Sequence, residues 1–236
     1  MAALNAAMYA VLGYMTFLGV FAPIVGVVRF WGIAVVVPAV FAFLFGGMVG
    51  GVGAAIGIFI SDMIIHGNAL LSLTVGVPAN FVMFYLIGSL GKARDRFTAM
   101  NVGLAAGCFI IVVIFLTRWV MGAEFTLEAA AILVGFTLVS IFLTVILVRL
   151  RAEWGGFALA SIVGNAVGSA IVGLGVWLFS QFLILPMNLG HQLPFTAAMI
   201  LFAWTFTNQM PFLLAFGPPI LKACYRAFPS LVRKTP

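Results

Sequence analysis

"LFGGMVGGVGAAIGIFISDMIIHG", residues 44–67, sets six glycines within twelve positions, follows them with an apolar run, and finishes on Asp62 and His66. Gly46, Gly50, Gly53, Ala54, Gly57 and Ser61 recur every three or four residues, which on a helix makes one smooth, small-residue face. Gly47, Gly51 and Ala55 form a second track beside it, on the way to Asp62. Soluble helices avoid such density because each interior glycine costs about 0.5–1 kcal/mol relative to alanine. In a membrane the balance differs. Lipid tails give helices no hydrophobic reason to associate, so close backbone approach between small residues supplies the attraction. The stretch therefore reads as a transmembrane helix packed tightly among others.

The whole chain agrees with that setting. Its 236 residues are 65% hydrophobic and 7% charged, whereas soluble domains carry about a quarter charged residues. The mean hydropathy is +1.28. These values indicate a single integral membrane domain over 1–236, all-α, a polytopic bundle of transmembrane helices, and leave no window for a soluble domain. The first apolar run has no basic residues before it, so it reads as a first span and not as a cleaved secretory signal. Cys108 and Cys224 suggest neither a disulfide framework nor a metal spacing. The sequence pI of about 9.9 reflects membrane orientation and not nucleic-acid binding.

Apolar runs predict about eight spans, near 4–22, 32–46, 48–66, 73–91, 98–121, 128–148, 157–183 and 195–222. The second is short and nearly fused to the third through Gly46-Gly47. Charge placement supports this count. Lys92, Arg94 and Arg96 share one loop, Arg149 and Arg151 another, and Lys222, Arg226, Arg233 and Lys234 follow the last span. With eight spans and both termini inside, all of them face the cytoplasm, as the positive-inside rule requires. Arg29 and Arg118 remain on the outer side, where Arg118 snorkels near a helix end. The expected location is the cell membrane.

Polar groups inside apolar spans are the candidates for ligand contacts. Asn80 follows Pro78, Asn165 sits among small residues, and Trp204, Thr207, Asn208 and Gln209 cluster just before Pro211. Asparagine and glutamine also hydrogen-bond between helices without any ligand, so both roles stand for each of them. Asp62 is either a structural carboxylate paired with His66 or Arg29, or a group facing the ligand. Arg29 and Trp31, on the outer loop after the first span, serve either as ligand contacts or as interface anchors. Asp62, His66 and His191 fall on one predicted side, but no metal site is assigned and no cofactor is implied. There is no phosphate-binding Gly-x-x-x-x-Gly-Lys-Ser/Thr loop and no nucleophile with a base, so the chain is not expected to be an enzyme.

The start of the chain, "ALNAAMYA", spaces Ala3, Ala7 and Ala10 on one face, with Ala6 beside it. Together with the Phe43–Asp62 stretch and the segment "VGVPANFVMFYLIGSLGKARDR", and more loosely the exit at Pro219–Ala223, it resembles the substrate-binding S component of energy-coupling factor (ECF) transporters. The extra pair near 98–148 has no counterpart in that family's usual six spans. The resemblance implies capture of a vitamin or similar small micronutrient from outside, docking of Ala3, Ala7 and Ala10 on a transmembrane coupling subunit driven by ATPases, and no hydrolysis by the chain itself. Under it, Arg29, Trp31, Asp62, Asn80, Asn165, Trp204, Asn208 and Gln209 are the expected substrate contacts. The substrate would be an uncharged or weakly charged heterocycle or aromatic molecule, with membrane lipid around the protein. Two other roles fit the same residues: a structural or assembly subunit of a larger membrane complex, and a small-solute transporter or channel working alone.

Overall fold

The computed structural model describes residues 1–17, 32–91, 96–186 and 190–231. The described residues are helical, with no strand among them. The helices are α1 (Ala2–Met15), α2 (Val36–Phe45), α3 (Gly47–Ile65), the single turn α4 (Ala69–Leu71), α5 (Val77–Leu90), α6 (Arg96–Met121), α7 (Leu127–Leu150), α8 (Gly155–Phe182) and α9 (Phe195–Ala227). A π-helical segment, Ser72–Gly76, joins α4 to α5 into one continuous rod. Six of these rods are long and apolar enough to cross a membrane: α3, α4–α5, α6, α7, α8 and α9. They coincide with the last six expected spans. The first two expected spans correspond to the shorter apolar helices α1 and α2, of 14 and 10 residues. The protein is a multi-pass helical membrane protein.

Helix α2 is short for a local reason. Gly46 takes φ +100°, a conformation that favours glycine, so the chain breaks there and α3 restarts at once. Ten residues rise about 15 Å, half of a hydrocarbon layer of about 30 Å. The turn before α2 seats Gly32 against the Asn208 carbonyl and the Phe212 ring, near the midpoint of α9. The other end of α2 lies where Phe43 meets Gly91, at the end of α5. The helix therefore begins deep in the bundle and occupies one half of its thickness.

Contacts run in a row: α1 on α3, α3 on α5, α5 on α8 and α8 on α9. α6 and α7 form a hairpin that packs on α8 and α9, and α2 is wedged among α3, α5 and α9. The glycines of α3 meet three neighbours. Gly50 touches Ala42 of α2, while Gly53 and Gly57 admit Asn5, Ala6 and Tyr9 of α1, and Gly47 and Gly51 lie on the backbone of α5 at Tyr85 and Phe81. A Cβ on Gly57 would stand 2.8 Å from the Ala6 carbonyl oxygen, and one on Gly51 would stand 2.9 Å from that of Phe81. The glycine-rich helix is thus a packing hub on every side but one. Arg149, Arg151, Lys222 and Arg226 lie at the same end of the bundle as Met1, and Arg118 lies at the other end.

Candidate functional site

Two groups of buried polar side chains stand out, one on each side of α5 and α8. The first joins α1, α3 and the π segment. Pro78 has no N–H, and the backbone before it widens so that the Val77 N–H reaches the Ser72 carbonyl. That geometry turns the Ser72 hydroxyl to Asp62, donating to Oδ2 at 2.7 Å. Among the described residues Asp62 is the one buried charged side chain. Its Oδ1 lies 3.5 Å from His66 Nε2, one turn later on the same helix. The Asn68 N–H donates to His66 Nδ1 at 3.1 Å, so a neutral imidazole carries its proton on Nε2, toward Asp62. Asn68 in turn caps α4 by accepting from the Leu71 N–H. The carboxylate holds the α3–α4 corner together.

Asn80 belongs to the same side. Its Nδ2 donates to the Gly76 carbonyl at 2.9 Å, and its Oδ1 accepts from the Tyr9 hydroxyl at 2.7 Å. Tyr9 is buried and stacks edge-on against Phe84. Asn5, one turn before it, donates to the Val49 and Gly50 carbonyls. Tyr9→Phe keeps the ring and strands Asn80 Oδ1, so it should cost about 1–3 kcal/mol. Chemical unfolding in detergent checks this, and a Tyr9→Phe, Asn80→Leu double-mutant cycle should show that the two losses are not additive.

The second group is on α9, where residues 203–211 are buried on all sides. Asn165 of α8 is fully engaged there: Nδ2 donates to the Phe206 carbonyl at 3.0 Å and Oδ1 accepts from Ser169 at 3.2 Å. It ties α8 to α9. Its neighbours on α9 are different. Trp204 Nε1, Thr205 Oγ1, Asn208 Oδ1 and Gln209 Oε1 are buried and have no hydrogen-bond partner among the described residues. The spacing i, i+1, i+4, i+5 places all four on one face. Asn208 Nδ2 donates to the Trp204 carbonyl at 2.7 Å. That contact fixes the amide's orientation, because the oxygen in that place would face another acceptor. Four of the seven such buried atoms among the described residues fall within positions 204–209; the other three, Asn5 Oδ1, Ser61 Oγ and Ser161 Oγ, are on separate helices. Inside a bilayer there is no bulk water to satisfy them, and each orphan costs energy.

The expected contacts therefore sort themselves. Trp204, Asn208 and Gln209 come together at the level where α2 begins, Asn165 is committed beside them, and Asp62 and Asn80 sit in the separate α1–α3–α5 network. Arg29 and Trp31 lie outside the described residues. Ala3 and Ala7 are exposed on α1, whereas Ala10 is buried, as are Ala6 and Tyr9. Thr205 escaped the sequence reading, although its i+4 spacing to Gln209 was a usable signal. Tyr9 and Ser72 escaped it because their partners are distant in sequence or depend on the π segment.

Comparison with known proteins finds no matching family model, no matching curated protein and no matching solved structure. The fold and the polar face on α9 define a multi-pass helical membrane protein with an unsatisfied polar patch in its interior.

Proposed function

We propose that the chain is the substrate-capture subunit of a cell-membrane uptake system, taking up a vitamin or similar small micronutrient together with an ATP-driven coupling module, as the S component of ECF transporters does. One observation carries the reading: four buried, unpartnered polar atoms on one face of α9, at the depth where the half-length α2 starts. A fold that spends stability on such groups has a use for them, and a bound small molecule is the simplest one. The capture role involves no chemistry on the substrate. Native mass spectrometry of protein purified gently from its own membrane tests the reading, which expects a bound small molecule and a co-purifying coupling subunit.

The finer topology belongs to the same proposal. α1 and the half-length α2 take the places of the first two of eight spans, and both termini are cytoplasmic, which puts Arg149, Arg151, Lys222 and Arg226 on the inner side. In a Cys108→Ser, Cys224→Ser background, Arg226→Cys should resist a membrane-impermeant thiol reagent in intact cells and react after permeabilisation. Efficient labelling of intact cells would reverse the orientation.

A further inference from the structure

We infer that the α9 patch binds an uncharged molecule carrying at least two N–H or O–H donors beside one acceptor, such as a primary carboxamide or a cyclic ureide. This deepens the capture reading and rests on it. The argument uses only what each atom can do. Asn208 turns its amide nitrogen to the Trp204 carbonyl, so its Oδ1 points away as an acceptor. Gln209 Oε1 is a second acceptor, and Trp204 Nε1 can only donate. Thr205 Oγ1 does either. The patch thus asks for two donors and one acceptor, within the roughly 7.5 Å that six helical residues cover.

Charge argues in the same direction. Asp62, the one buried charged side chain among the described residues, is bound to Ser72 and His66 on the other side of the bundle. Among the described residues only neutral dipoles surround the α9 patch, and burying a charged ligand against them is costly. A neutral amide completes the four orphans at no such cost. Trp204 also offers an indole ring next to its N–H, which suits a flat ring on the ligand.

The test is the thermal midpoint of the purified full chain in mild detergent, with two matched probe pairs at millimolar concentration: benzamide against benzoate, and uracil against orotate. Wild type should melt higher with benzamide and uracil and should not respond to benzoate and orotate. Asn208→Leu and Gln209→Leu should abolish the response. Each should also melt higher than wild type without probe, because each removes a buried orphan. A response to the carboxylates as large as to their neutral partners overturns the ligand class and leaves the site. A wild type that responds to no probe, beside an Asn208→Leu that is stabilised, likewise overturns the class alone. No response in wild type, together with an Asn208→Leu that melts lower, makes the amide a structural group, and the capture reading at this site falls with it.

Discussion

Gly50→Leu and Gly57→Leu should yield almost no folded protein, whereas Gly135→Leu should purify like the wild type. All three glycines are in apolar helices, so hydropathy and helix propensity treat them alike. Their surroundings do not. Gly50 lies on Ala42 of α2, and Gly57 lies 2.8 Å, as a notional Cβ, from the Ala6 carbonyl of α1. Neither neighbour is a flexible side-chain tip that can swing aside. Nothing lies within 4 Å of a Cβ on Gly135, which is exposed on α7. Overpacking a core costs about 1–3 kcal/mol when side chains can adjust, and more when backbones must part. Yield and monodispersity on size exclusion in detergent read the result. Equal recovery of all three would mean that α3 is not the packing hub.

Ala7→Arg should leave folding and any bound small molecule intact but remove the proposed coupling partner, whereas Ala6→Arg should remove folding. The two residues are adjacent and chemically identical. Ala6 is buried and its carbonyl meets Gly57, while Ala7 is exposed beside Ala3. An arginine at position 7 can extend to the nearby membrane surface, so its cost to the isolated protein is small. In an interface between small-residue faces it would hold two backbones apart. Co-purification from the native membrane, compared with the folded yield of each variant, separates the two outcomes. Retention of a membrane partner by Ala7→Arg would assign this face to lipid. Loss of folding would assign it to the interior.

Much of the fold could be read from residue types because the membrane makes helix formation compulsory and apolar runs mark the rods. The break at Gly46-Gly47 was visible in the same way, as two glycines closing a short span near 32–46, but the start of α2 at Val36 was not. The neighbours of each glycine were not visible. Gly53 meets α1 and Gly51 meets α5, yet the two are two residues apart, and only the crossing geometry decides between them. The polar groups show the same limit. Asn80 and Tyr9 are 71 positions apart in the chain, so neither names the other. Asn165 and Asn208 look equivalent, each an amide in an apolar helix. One is satisfied by a carbonyl and a hydroxyl on two helices, and the other keeps a bare oxygen. The residue type marks a polar atom in the interior, but the arrangement of the neighbouring helix decides whether a ligand is needed.

That difference is also where the functional account is most exposed. Native mass spectrometry should be run on wild type and on Asn208→Leu, both purified gently and both shown to be folded. Wild type should carry a neutral small molecule in one-to-one ratio, and Asn208→Leu should not. A wild type that carries nothing, or an Asn208→Leu that keeps the same molecule, would contradict the assignment of the α9 face as the capture site.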